Sequence, residues 1–232
     1  MARMADSAAV MDIKSLPEAI EWQARHAEEG GAPGTARVIR GLLAVLDSNT
    51  ATGRRMADWP GLTLKDAMPL RINGGLHNLV LSGADTRLGA VYRGELTDQT
   101  AVNAMVRAVV EQFDARLLPW LDGPPQTNEA GRSASIMAAL LWLGERTIPR
   151  FEMLELGASA GINTMMERYF YDLGRVTSGP AASPMRIVPE WRGPPPPDAE
   201  INIDSIRGCD VAPVDLADPA AALRLKSYVW PE

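Results

Sequence analysis

Residues 154–161, with the sequence Leu-Glu-Leu-Gly-Ala-Ser-Ala-Gly, decide the fold of this chain. They end a short apolar run that starts at Phe151, and a stretch with helical spacing follows them. We therefore expect a strand from Arg150, a glycine turn and then a helix that extends to Tyr171. Such a turn leaves the first amides of the helix at the carboxyl edge of a sheet, where they can bind a carboxylate or a phosphate. The pattern predicts a mixed α/β protein with a ligand site at this turn.

The glycines of the turn and the acid before it suit a small-molecule cofactor. A side chain at Gly157 or Gly161 would block the approach of a ligand to the backbone. Glu155 stands at the end of the predicted strand, two positions before Gly157. A carboxylate there suits a cationic group, such as the amino group of a methionine moiety. The alternative is a turn that only packs a helix on a strand.

This segment resembles the first motif of class I S-adenosylmethionine-dependent methyltransferases, which pairs a strand-end acid with a glycine-spaced turn. Ser159 stands where that family usually has its middle glycine. The resemblance implies that Glu155 reaches the methionine end of the cofactor and that the turn passes under it. The cofactor-binding residues expected here are Glu155, Gly157, Ala158, Ser159, Ala160, Gly161 and Asn163.

A second candidate region is the polar loop before the helix that leads to the strand. Asn128, Glu129 and Arg132 lie at the start of that helix, where Thr127 or Asn128 is a natural cap. In the methyltransferase interpretation this helix start closes over the cofactor, and Arg132 is available to a carboxylate. Helix capping alone explains two of these polar groups.

Residues 157–161 also spell Gly-x-Ser-x-Gly, the nucleophile elbow of the α/β-hydrolases, which would make Ser159 a nucleophile. That fold places its histidine after the serine in sequence. The histidines of this chain, His26 and His77, both precede Ser159. The order of residues argues against a hydrolase.

Composition excludes several classes of function. The net charge is -6 and no run of Lys or Arg could neutralise successive phosphates, so we expect no binding to nucleic acid or to an anionic membrane. Neither an export signal nor a stretch long enough to span a membrane is present, and the single cysteine, Cys209, fits a reducing compartment. We expect a cytoplasmic protein. Two histidines and one cysteine give no metal-ligand spacing, so no metal site is predicted.

The chain divides into three predicted parts: a flexible N-terminus at residues 1–12, a helical region at 13–149 and the first part of a Rossmann-like domain at 150–232. Helices are predicted from Ser15 to Gly30, from 35 to 49, from 97 to 118 and through Leu143. Pro69 and the pair Gly74 and Gly75 predict two short helices or a kinked one between 63 and 82. Later elements are predicted as strands at 186–189 and 201–203 and a short helix at 219–228.

Longer stretches resemble a bacterial family catalogued as domain of unknown function 2332 (DUF2332). The resemblance rests on residues 22–25, 76–83, 125–133, 154–163 with Arg168 and Tyr169, 190–196 and 229–232. It implies a methyltransferase-like fold and no particular activity. The resemblance also implies that members of that family continue past the Val-Trp-Pro signature at 229–231, and a doubly wound sheet needs more repeated units than follow Gly161. We therefore expect an incomplete, methyltransferase-type parallel sheet after a helical N-terminal part.

The sequence supports two functional hypotheses. The first is an S-adenosylmethionine-binding, methyltransferase-like protein with an unknown acceptor, whose predicted cofactor site is made by the turn and the Asn128 to Arg132 loop. Direct methyl transfer relies on alignment and exclusion of water, so no catalytic residue is named. Asp210 and Asp215 could meet a ribose, or be solvated loop acids. The second hypothesis is a non-catalytic binding or scaffold protein with a protein partner or a second copy of itself.

Overall fold

The structure, a computed structural model, describes residues 15–60, 66–126 and 128–232. Contacts divide the chain into two compact units. One unit extends to Pro125 and also contains Leu223–Glu232, while the other is Gln126–Ala222. The second unit thus starts before Arg150, because the loop and helix ahead of the first strand pack with that strand. The protein has a mixed α/β structure with a small parallel sheet.

The first unit is helical in its described residues. Its helices bury one apolar face each around a common core that includes Ile39, Leu76 and Val106. They are α1 (Leu16–Glu29), α2 (Pro33–Gly41), α3 (Ala51–Ala57), α4 (Met68–Leu81), α5 (Gly89–Tyr92) and α6 (Gln99–Leu117), with 3₁₀ helices at Leu42–Val45 and Leu118–Leu121. Ser15 caps α1 by accepting the Glu18 amide at 3.4 Å, as its capping-box sequence predicts.

Helix α4 is continuous from Met68, so the kink predicted around Pro69 and the Gly74-Gly75 pair is wrong. Pro69 lies in the first turn of the helix, where its missing N–H costs no hydrogen bond. The two glycines let other elements approach closely. A Cβ on Gly74 would lie 2.6 Å from the Tyr228 ring, and one on Gly75 would lie 2.9 Å from Leu117. Residues 61–65, where the same prediction began, lie outside the described part of the chain.

The last ten residues belong to the helical unit through contacts with three of its helices. The Ser227 carbonyl accepts a hydrogen bond from His77 Nδ1 at 3.1 Å, and the ring of Trp230 meets His26 edge-on. The Glu232 carboxylate accepts from the amide of Thr35 at 2.6 Å and from its hydroxyl at 2.8 Å. These contacts bring together residues from opposite ends of the chain.

The second unit contains two small sheets. Strand β1 (Arg150–Leu156) pairs in parallel with β5 (Asn202–Cys209), in a register that joins Leu156 to Cys209 and carries an irregularity after Phe151. The other sheet contains β2 (Phe170–Asp172), β3 (Thr177–Ser178) and β4 (Arg186–Ile187), in the order β3-β2-β4. The helices of the unit include a 3₁₀ helix at Ala130–Arg132, α7 (Ser133–Arg146) and α8 (Pro219–Lys226), and the boundary between the units falls within α8.

The segment after the glycine turn differs from the predicted helix to Tyr171. A short 3₁₀ helix covers Asn163–Arg168, and the chain is already extended at Tyr169 before it enters β2. Aromatic residues favour strands, and Tyr171 is fully buried there against the core of the unit. The three aromatic residues 169–171 are therefore not one face of a helix. The strand predicted at 201–203 is real and longer, since β5 extends to Cys209.

The two faces of β1 differ in burial. Phe151 and Met153 pack against the apolar core of the second unit together with helix α7. Leu154 and Leu156 lie on the other face and keep 66% and 76% of their surface exposed. Glu155 shares the half-buried face with Met153, which directs its carboxylate toward the turn rather than toward the open face. Among the described helices, none combines the length and apolar character that crossing a membrane requires.

Candidate functional site

The chain leaves β1 through a turn that uses three left-handed backbone conformations. The φ angles are +76° at Gly157, +51° at Ser159 and +73° at Gly161. Glycine adopts this region at little cost, whereas for Ser159 it is an uncommon and strained conformation. A Cβ placed on Gly157 would meet no atom within 4 Å, so the space next to this glycine is open. The predicted strand and glycine turn are both present.

The amides of Gly157, Ala158 and Ser159 are occupied by groups of the protein itself. The amides of Gly157 and Ala158 both donate to the Cys209 carbonyl, at 2.9 and 3.0 Å. The amide of Ser159 donates to Asp210 Oδ2 at 2.8 Å. These three amides are therefore not free to bind an anion, because the adjacent strand β5 and its first following residue satisfy them.

Asn128 connects the two ends of the turn. Its Oδ1 accepts from the amide of Ile162 at 2.9 Å, and its Nδ2 donates to the Ala158 carbonyl at 3.4 Å. The prediction that Asn128 belongs with the turn agrees with this geometry, but its suggested role as a helix cap is wrong. Helix α7 begins only at Ser133 and has no side-chain cap. Thr127, the other suggested cap, lies outside the described residues.

Glu129 and Arg132 form an ion pair with each other. Arg132 Nε donates to Glu129 Oε2 at 2.6 Å, and both side chains are about two-thirds exposed, at 66% and 62%. The guanidinium proposed to receive a ligand carboxylate thus already has a carboxylate partner. The structure gives neither side chain a hydrogen bond to the turn.

Three buried oxygens around the turn have no hydrogen-bond partner among the described residues. They are Glu155 Oε2, Ser159 Oγ and Asn163 Oδ1. The second oxygen of Glu155 accepts from Asn163 Nδ2 at 3.4 Å, so these two side chains are in contact. Buried polar atoms in native proteins are nearly always paired with protein, water or ligand. All three side chains were predicted as cofactor-binding residues from the sequence.

The electrostatics of the turn are set by carboxylates. Hydrogen bonds from the amides of Ala212 and Ser159 hold the pKa of Asp210 below its usual value. Burial, followed by the nearby carboxylates of Glu167 and Glu155, raises the pKa of Tyr169. The Tyr169 hydroxyl donates to the Ile162 carbonyl, which keeps the ring beside the turn. The site therefore combines negative charge with unsatisfied acceptor atoms.

Sequence comparison assigns the chain to a family. The family model described as an uncharacterized protein conserved in bacteria (DUF2332) matches residues 17–232. The chain belongs to this family. The match covers residues of both units and includes the turn after β1. Neither the curated proteins nor the solved structures gave a significant match.

Sequence reasoning in this DUF2332 member missed the structural part that Asp210 plays. Asp210 was predicted to meet a ribose or to be a solvated loop acid, whereas its two oxygens accept the amides of Ser159 and Ala212. Asp215 accepts the Ala217 amide and is exposed. Gly208 was a usable signal, since a Cβ at that position would lie 2.6 Å from the Ala158 side chain. A glycine inside a strand often marks a place where another part of the chain approaches closely.

Proposed function

We propose that this protein binds S-adenosylmethionine at the turn after β1 and is a methyltransferase-like protein. The observation that supports the proposal is the group of three buried, unpaired oxygens on Glu155, Ser159 and Asn163. Each of these side chains lies on β1, in the turn or just after it. The methyl acceptor is not part of the proposal.

The chemistry of these atoms favours a cationic ligand group. An ionised carboxylate oxygen and an amide carbonyl oxygen only accept hydrogen bonds, and a serine hydroxyl can do so too. An ammonium group carries three donors and one positive charge, so it can satisfy Glu155 and Asn163 together. The α-ammonium group at the methionine end of S-adenosylmethionine matches both requirements.

Two features near the same turn suit other parts of the cofactor. The open space beside Gly157 allows a ligand to approach the backbone. Asp210, at the carboxyl end of β5, uses one described hydrogen bond on each oxygen, and a carboxylate oxygen can accept a second donor such as a ribose hydroxyl. When bound, S-adenosylmethionine supplies a methyl carbon activated by its sulfonium, and the protein's part is to orient it and to exclude water.

Isothermal titration of the purified chain with S-adenosylmethionine and S-adenosylhomocysteine tests the proposal. The variant Glu155→Gln removes the charge and keeps the shape of the side chain. We expect a loss of affinity of about tenfold or more, the usual cost of losing a hydrogen bond to a charged group.

Glu152→Gln is the matched control because it neutralises a carboxylate on the exposed face of the same strand. We expect this variant to bind as the wild-type chain does. Absence of binding heat at high ligand concentration in a folded sample would refute the proposal. Equal affinities for Glu155→Gln and wild type would place any binding site away from this turn.

A further inference from the structure

We infer that the site recognises the ammonium group of its ligand and disfavours the neighbouring α-carboxylate. S-adenosylmethionine without that carboxylate, an aminopropyl sulfonium nucleoside, should therefore bind more tightly than S-adenosylmethionine itself. This inference rests on the proposed function and specifies the ligand class of the same site. It follows from which donors and acceptors around the turn are already paired.

Four backbone amides around the turn are engaged, those of Gly157, Ala158, Ser159 and Ile162. The amides of Gly157 and Ala158 share the Cys209 carbonyl, and the amide of Ser159 is held by the carboxylate of Asp210. Asn128 Oδ1 takes the amide of Ile162. A ligand carboxylate that bound any of these four amides would have to displace its acceptor, and the displaced group would then lose its partner.

The cationic side chain that was predicted to receive a ligand carboxylate, Arg132, is also engaged. Arg132 donates to Glu129 at 2.6 Å, and both residues point into solvent with about two-thirds of their side chains exposed. An exposed pair of this kind gives little energy, but it neutralises the guanidinium that a ligand carboxylate would need.

The remaining groups favour positive and repel negative charge. Glu155 contributes a carboxylate with one oxygen that is buried and unpaired. Asp210 contributes a second carboxylate, which accepts the Ser159 amide of the turn. Asn163 presents a carbonyl oxygen. An ammonium ligand satisfies these acceptors, whereas an adjacent carboxylate on the same carbon adds a like charge beside Glu155.

A competition of three ligands tests this inference by calorimetry. The ligands are S-adenosylmethionine, its decarboxylated form and 5′-methylthioadenosine, which carries neither ammonium nor carboxylate. We expect the decarboxylated form to bind about tenfold more tightly than S-adenosylmethionine, the effect of one like charge at short range near the protein surface. Methylthioadenosine should be the weakest ligand.

The possible failures are distinct. If no ligand binds, the proposed function itself is wrong. If S-adenosylmethionine binds at least as tightly as its decarboxylated form, the function stands and the inference fails. Methylthioadenosine that binds as well as the decarboxylated form would show that the ammonium group is not recognised, and this would also overturn the inference.

The variant Glu155→Gln separates charge recognition from nucleoside binding. We expect it to weaken the decarboxylated ligand strongly and methylthioadenosine little, because only the former carries the ammonium group. The control Glu152→Gln should leave all three affinities unchanged. An equal loss for both ligands in Glu155→Gln would indicate a general disturbance of the site and would contradict ammonium recognition.

Discussion

The carboxylate of Asp210 accepts the amide of Ser159 at 2.8 Å and thereby holds the turn after β1 against the end of β5. Asp210 is the first residue after β5, and Ser159 is the residue of the turn that carries a strained positive φ. A charged acceptor on a backbone amide is among the stronger hydrogen bonds in proteins. The strained conformation of Ser159 thus persists because neighbouring groups fix it.

Replacing Asp210 should loosen the turn locally. In Asp210→Asn the neutral amide can offer only one good acceptor to the two amides of Ser159 and Ala212. We expect faster hydrogen exchange at the Ser159 amide, measured by NMR. The control is Asp215→Asn, which affects the exposed bond to Ala217. Unchanged exchange at Ser159 in Asp210→Asn would show that the carboxylate does not hold the turn.

The same bond should depend on acidity. The folded protein lowers the pKa of Asp210, chiefly through the amide of Ala212 and then that of Ser159. Stabilisation by this carboxylate is therefore fully present above the ordinary aspartate pKa of about 4 and is lost as the pH falls through the lower folded value. The chemical shifts of Ser159 should stay constant from neutral pH to that region and change below it. A transition at neutral pH would contradict this assignment.

Asn128 should contribute to the stability of the second unit. Asn128→Ala removes the acceptor of the Ile162 amide and the donor to the Ala158 carbonyl. We expect a decrease in the free energy of unfolding of about 1–2 kcal/mol, since partly buried groups lose their partners. Denaturant titration followed by circular dichroism measures it.

Gln126→Ala provides a matched control in the same loop. Gln126 makes an exposed hydrogen bond to the Ala212 carbonyl at 3.2 Å, so its loss should change stability by less than about 0.5 kcal/mol. If both variants are equally stable, the two hydrogen bonds of Asn128 do not contribute measurably to the free energy of unfolding.

The sequence predicted the local features of the fold well where the pattern is strong. The capping box at Ser15, the period of α6 and the strand from Arg150 all appear as expected. The prediction of a helix that extends to Tyr171 was wrong, because tertiary contacts determine the secondary structure there. The aromatic residues 169–171 can continue a helix or form a strand, and burial of Tyr171 in the core settles the choice for β2.

The sequence named residues around the turn but not the hydrogen bonds that they make. Asn163 donates to Glu155 at 3.4 Å, and Ser159 lies in the turn between them. The acceptors of these amides could not be predicted, because Cys209 and Asp210 lie far from the turn in sequence. Asp210 follows Ser159 by 51 residues. Local sequence does not reveal which acceptor a distant strand supplies.

Glu232 should stabilise the start of α2 from the other end of the chain. Residue Ala32, at the N-cap position, has no side-chain acceptor, and the Glu232 carboxylate takes the amide and hydroxyl of Thr35 instead. A carboxylate at a helix start satisfies free amides and interacts well with the helix dipole. We expect Glu232→Ala to lower the unfolding free energy by about 1 kcal/mol.

A double-mutant cycle with Thr35→Val tests whether this energy belongs to the pair. Because Glu232 and Thr35 share one hydrogen bond between side chains, their effects should be non-additive by about 0.5 kcal/mol or more. Glu95→Ala is a suitable control, since its carboxylate forms an exposed pair with Arg93. Strict additivity of Glu232→Ala and Thr35→Val would mean that the two residues act independently.

His77 should make the helical unit sensitive to mild acid. Its ring is 5% exposed, its Nδ1 donates to the Ser227 carbonyl, and it packs edge-on against Tyr92. Burial lowers the pKa of His77, and this outweighs the carbonyls of Ser227 and Val229 and the carboxylate of Glu232, which act in the opposite direction. The folded protein therefore prefers the neutral ring at a pH where an exposed histidine already binds a proton.

The sign of the effect follows from proton linkage. Below the unfolded pKa of about 6.5 the unfolded chain binds a proton that the folded chain does not, so stability falls as the pH drops through this range. The slope cannot exceed about 1.4 kcal/mol per pH unit for one proton. Denaturant titrations between pH 5.5 and 7.5 should show that the free energy of unfolding decreases as the pH falls. In His77→Gln this dependence on pH should be weaker. Equal slopes for the wild-type chain and His77→Gln would show that His77 is not the responsible group.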